Sequence, residues 1–147
     1  MNVSDKCIAL ITQFEGFRSS PYLCPAGVPT IGYGSTRYGN GSKVALSDPP
    51  ITEPQARDIL RETLLGFQNE VDHLVQVDLT QGQYDALVDF AYNCGAANLQ
   101  KSTLLAKVNA NDMVGAASEF SKWCHCNGEV LEGLVRRREA ERQLFIS

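Results

Sequence analysis

The chain has 147 residues, 44% hydrophobic and 20% charged, with 12 glycines and 6 prolines, a globular composition that excludes collagen, coiled coil and disorder. A chain of this size buries about 68–70% of its unfolded surface, enough for a core with a cleft but too little for two independent enzymatic domains; residues 1–147 are expected to form one domain in two lobes. The net charge of −4 is uneven, +1 over residues 1–50, −6 over 51–100 and +1 over 101–147, with no basic stripe of the kind a nucleic-acid backbone requires, so nucleic acid is not an expected partner.

The longest apolar run near the start, Cys7 to Ile11, is five residues long, too short for a signal-peptide core, and neither a secretion signal nor a membrane span is expected. Five cysteines, Cys7, Cys24, Cys94, Cys124 and Cys126, are an odd number on a chain large enough to fold without cross-links. They read as reduced thiols and point to synthesis in a cytosol.

Val3, Cys7, Leu10, Ile11 and Phe14 recur at intervals of three and four, predicting an amphipathic helix over about 3–14, capped by Asn2 or Ser4, with Glu15 at or just past its end. Residues 16–50 hold half of the glycines and five of the six prolines, interleaved with Tyr22, Val28, Ile31, Tyr33, Tyr38 and Val44, which predicts short strands and tight turns. Thr52-Glu53-Pro54-Gln55 has capping-box spacing and opens a helix to about Val75; Thr80-Gln81-Gly82-Gln83 repeats it, with Gly95 closing the next helix. Further helices are expected at about 102–109, 112–123 and 129–144. The order is α+β: an N-terminal helix, a small β lobe at about 16–50 and a helical lobe at about 52–147. A ligand site is expected in the cleft between the lobes.

A hairpin centred on Gly27 would set Cys24 opposite Thr30, their side chains on one face, just downstream of Glu15. Phe14 and Phe17 flank Glu15, and shielding from water favours the neutral carboxyl that a general acid needs. Each residue also has an ordinary reading: a solvated helix-end glutamate, a small apolar filler and a β-former.

The spacing Glu15-x8-Cys24-x5-Thr30 resembles the Glu-x8-Asp/Cys-x5-Thr triad of phage-type lysozymes, the T4-lysozyme-like glycoside hydrolases. The resemblance extends through Pro29-Thr30-Ile31-Gly32-Tyr33-Gly34, Gln83-Tyr84-Asp85-Ala86-Leu87, Phe90-Ala91-Tyr92-Asn93-Cys94-Gly95 and Gly133-Leu134-Val135-Arg136-Arg137-Arg138-Glu139-Ala140-Glu141. It implies the lysozyme architecture and a muramidase or endolysin that hydrolyses the β-1,4 bond between N-acetylmuramic acid and N-acetylglucosamine in peptidoglycan, lysing the host without cofactor or metal. Glu15 would be the general acid, Cys24 would occupy the second catalytic position, and Thr30 would hold water or orient substrate. A monomer made in the host cytoplasm and released across the inner membrane with a holin is the implied setting.

Two departures from the family pattern matter. Cys24 stands where many relatives carry Asp, and it could act as a thiolate base, a nucleophile or a water-orienting group. Ser35 stands where some relatives carry a histidine partner for the glutamate, a role that Arg136, Arg137 or Arg138 could assume. The competing expectation is a degenerate lysozyme that binds peptidoglycan without cutting it. A thiol-redox protein is disfavoured because Cys-x-x-Cys is absent. Cys124-His125-Cys126 lacks the usual zinc-ligand spacing, Trp123 suits core packing, and Tyr38-Gly39-Asn40-Gly41-Ser42 is a candidate flap.

Overall fold

The computed structural model describes all 147 residues and divides into two compact units, one of Met1–Leu10 with Phe67–Ser147, the other Ile11–Gly66. The helices are α1 (Asp5–Glu15), α2 (Glu53–Leu74), α3 (Gln81–Cys94), α4 (Ala96–Lys101), α5 (Thr103–Asn109), α6 (Met113–Glu119) and α7 (Glu132–Ile146); the strands are β1 (Arg18–Leu23), β2 (Pro29–Gly32), β3 (His125–Cys126) and β4 (Glu129–Val130). None of the helices is long and apolar enough to cross a membrane. The α+β order therefore stands.

In the unit of residues 11–66, β1 and β2 form an antiparallel hairpin. Its register differs from the expected one: Tyr22 faces Thr30 and Leu23 faces Pro29, so the turn centres on Ala26 instead of Gly27. The reason lies in the turn chemistry. The Gly27 amide donates to the Cys24 carbonyl at 2.8 Å, and Gly27 has φ +78°. Pro25-Ala26-Gly27 is thus a three-residue loop with Gly in the left-handed position, and Cys24 closes onto Val28. Gly32, at φ +68°, leaves room for α2: a Cβ there would stand 3.1 Å from the Ala56 Cβ. Ile11, Ile31, Tyr33, Val44, Ala56, Leu60 and Leu64 form the buried apolar set of this unit.

The predicted capping box on α2 is present, with the Thr52 amide donating to Gln55 Oε1 at 2.8 Å and the Gln55 amide donating to Thr52 Oγ1 at 3.3 Å. The proposed flap is a hydrogen-bonded turn. Tyr38 N donates to the Ser42 carbonyl, Arg37 to the Gly41 carbonyl, and the Tyr38 hydroxyl to Asp48 at 2.7 Å.

In the other unit, α3 is buried from Tyr84 through Ala91 and packs along α7. Gly82 is needed at its first turn, because a Cβ there would collide with the Leu144 carbonyl of α7. Phe90 packs edge-on to Phe120 and Trp123 at centroid distances of 6.0 and 5.2 Å, and Phe120 packs against Phe145 at 5.4 Å. Trp123 is therefore a packing residue. Thr80 caps α3 with the expected box, and Gly95, at φ +96°, ends it.

Two elements depart from the expected helices. The short helix α4 lies between Gly95 and the helix expected at about 102–109, and the chain around 125–130 is the β3–β4 hairpin, so α7 begins at Glu132 rather than near 129. Asn127 and Gly128, at φ +52° and +80°, form the two-residue turn that Asn-Gly favours, with Cys126 facing Glu129.

Candidate active site

Glu15 is the last residue of α1. The Gly16 amide still donates to the Thr12 carbonyl at 3.2 Å, and Gly16, at φ +72°, then turns the chain into β1. Glu15 is left half-buried at the junction of helix and hairpin.

Cys24 and Thr30 share one face of the hairpin as diagonal neighbours, because each alternates with the same cross-strand pairs. Thr30 is 2% exposed, and its hydroxyl donates to the Val28 carbonyl at 2.8 Å, which also accepts from the Cys24 amide at 3.1 Å. The half-buried Cys24 thiol is held below its ordinary range chiefly by the backbone amide of Val28; partial burial opposes this, and the Ala26 amide and Thr30 hydroxyl reinforce it. Turn amides do here what a nearby cation does at other reactive cysteines.

Tyr22, directly opposite Thr30, was expected only as a strand former. Burial pushes its phenol up, and the charges of Glu15 and Cys24 add to the rise, while Arg18 pulls it down. The guanidinium of Arg18 lies 4.3 Å from the Tyr22 ring centroid. Tyr22 thus feels both Glu15 and Cys24. The signal for it in the sequence was strand alternation, which puts residues 22 and 24 on one face.

Ser35 is bridged to Ile31 by two backbone hydrogen bonds of 2.9 and 3.0 Å; it is buried, and its hydroxyl has no protein partner. Tyr33 is also buried and packs 5.7 Å from Phe17. The Tyr33 phenol meets Glu53 and Arg57.

Within the helical unit the arginine run divides three ways. Arg136 pairs with Glu132 on the surface. Arg137 is buried and grips Asp89 through bonds of 3.2 and 2.7 Å. Arg138, also buried, bonds Glu141 at 2.6 and 2.9 Å, Asn93 at 2.8 Å and the Cys94 sulfur at 2.6 Å. Burial, reinforced by Asp89, pushes the Glu141 carboxyl up, against the pull of Arg138 and Arg137. All five cysteines are free thiols, and the Cys124 sulfur lies 3.7 Å from His125 Nδ1 on the exposed hairpin.

The family model for phage lysozyme matches residues 12–141. The endolysin of Bacillus phage B103 is 44% identical over 147 residues; the match takes in the whole of this chain but only 55% of that protein. The chain therefore spans about half the length of that relative. The endolysin of Acyrthosiphon pisum secondary endosymbiont phage 1 is 40% identical, with 100% of this chain and 99% of that protein covered. Among solved structures, a mutant of P22 lysozyme superposes with a TM-score of 0.90 at 34% identity, covering 100% of this chain and 99% of that one. The muramidase domain of SpmX from Asticaccaulis excentricus does so with a TM-score of 0.87 at 35% identity, covering 99% and 98%. With a family model matched over most of its length and full-length likeness to a relative and to a solved lysozyme, the chain belongs to the phage lysozyme family and is a lysozyme-type enzyme with the lysozyme fold.

Proposed function

We propose that the chain is an endolysin that hydrolyses the β-1,4 bond between N-acetylmuramic acid and N-acetylglucosamine in peptidoglycan. The observation that carries this reading is the hairpin face on which Cys24, with its thiol drawn down by turn amides, lies beside Thr30, with Glu15 and Cys24 both acting on Tyr22. An acid and a base flanking one bond are what glycoside hydrolysis requires.

In this mechanism Glu15 gives its proton to the glycosidic oxygen as the bond to the anomeric carbon breaks. The Cys24 thiolate takes a proton from water as the water oxygen bonds to that carbon. With its hydroxyl proton turned to the Val28 carbonyl at 2.8 Å rather than to the Cys24 sulfur, the Thr30 oxygen acts as an acceptor during attack. It takes one O–H of the water and leaves the other directed at the sulfur. A single attack by water opposite the leaving group inverts the anomeric configuration. The implied setting is a monomer that reaches the wall through a holin-dependent release.

Digestion of purified peptidoglycan with this chain tests the reading. New reducing ends on N-acetylmuramic acid, initially of inverted configuration, are expected. Reducing ends on N-acetylglucosamine, or binding with no reducing ends, would exclude the muramidase assignment, and net retention would exclude the single-displacement step.

A further inference from the structure

Arg18 opens β1 on the exposed surface of its unit, and its guanidinium stacks on Tyr22, 4.3 Å from the ring centroid. Other arginines are engaged: Arg57 by Glu53, Arg136 by Glu132, Arg137 by Asp89, Arg142 by Glu139. The Arg18 side chain takes part in no hydrogen bond or ion pair, so its five N–H donors are unspent. The stack fixes a group that would otherwise sample many rotamers, and so lowers the entropy lost on binding an anion. A planar guanidinium presented this way suits bidentate recognition of a carboxylate. The ring that holds it faces Thr30 across the hairpin and shares a strand face with Cys24, so the cation sits one side chain away from those two residues.

We propose that Arg18, clamped on Tyr22, binds carboxylates of the peptide stems on the glycan and makes the enzyme prefer acidic wall over neutralised wall. The inference rests on the peptidoglycan reading above and adds the part of the polymer that is recognised. Arg18 is a specificity-determining residue, and Tyr22 positions it through its ring rather than its hydroxyl.

The test compares purified Gram-negative sacculi with the same sacculi after conversion of their free carboxylates to amides. Sedimentation binding uses the full chain in the uncut background, Glu15→Gln with and without Arg18→Gln. Loss of Arg18 should weaken binding to native sacculi about tenfold and leave binding to amidated sacculi unchanged, and added salt should shrink the difference, because exposed ion pairs are screened. Tyr22→Phe should bind as the parent does, and Tyr22→Leu should reproduce the Arg18→Gln defect. With Glu15 restored, Arg18→Gln should raise KM on native sacculi and leave kcat nearly unchanged. Equal weakening on both walls, or none on the native wall, overturns the proposal. A parent chain that releases no reducing ends yet shows Arg18-dependent binding to native sacculi removes the hydrolytic reading and supports this one.

Discussion

Cys24 and Thr30 are diagonal rather than opposed partners on the β1–β2 hairpin: Thr30 faces Tyr22, and Cys24 closes onto Val28 across the Pro25-Ala26-Gly27 loop. The diagonal keeps sulfur and hydroxyl on one face. It also puts the sulfur among the turn amides that favour its thiolate.

If Cys24 is the base, the fall of kcat/KM on the acid side follows a thiol that titrates below its ordinary range. Cys24→Asp should move that limb lower, towards the carboxylate value of about 4, so the variant remains active where the parent has faded. Cys24→Ala should lose about 10²–10⁴ in kcat. An alanine variant as active as the parent, or an aspartate variant with an unmoved limb, would reduce Cys24 to packing. Initial rates of turbidity loss with permeabilised cells from pH 4 to 9 provide the measurement.

Glu15→Gln keeps the shape of the side chain and removes its proton. The expected loss in kcat is about 10²–10⁴, with an unchanged urea midpoint because the residue is only half-buried at a helix end. Appreciable lysis by the folded variant would remove Glu15 from the chemistry.

Asp89 is fully buried and held by Arg137 at 2.7 Å. Arg137→Met strands a buried carboxylate and should cost about 3–5 kcal/mol, whereas the double variant with Asp89→Leu should recover most of that. Urea unfolding of the two variants separates a structural pair from an indifferent one, which would show no recovery.

Glu119 is buried between Lys122 at 2.5 Å and Lys107 at 3.4 Å, and the Lys122 contact, aided by Lys107, holds its carboxyl below the ordinary value of 4.5. Folded Glu119 therefore releases its proton more readily than unfolded Glu119. Its contribution to stability is complete above pH 4.5 and is lost as the pH falls through the lowered value. Glu119→Gln should be less stable than the parent at pH 7, and the gap should close on acidification below 4.5. A gap that stays constant from pH 7 to 3 would show that this ion pair does not contribute to acid sensitivity.

What could be read in advance was governed by local rules. The capping boxes at Thr52 and Thr80, the stop at Gly95 and the turn of the chain after Glu15 depend on residues within a few positions of each other, and each formed where its spacing predicted. The hairpin register is equally local, but it differs from the expected one by half a step at the turn, because the positive φ of Gly27 belongs to the third loop position and not to the centre. The Asn127-Gly128 turn is equally local; it lies in the gap between the helices expected at about 112–123 and 129–144, where its two-residue hairpin signal stands.

The sequence by itself determined the α+β order, the helix limits set by capping, and the acid, sulfur and alcohol spaced along α1 and the hairpin. Only the tertiary structure decided which buried charges meet. Asp89 joins Arg137 across 48 positions, and Asp85 accepts from the Ser4 amide across 81, because the faces of α3 that meet α7 and the start of α1 are set by packing. The stack that holds Arg18 on Tyr22 belongs to the same class, since a strand irregularity between those residues decides which way each side chain turns. Local propensity acts through neighbouring backbone groups, whereas a buried charge finds its partner only when the whole chain has removed both from water.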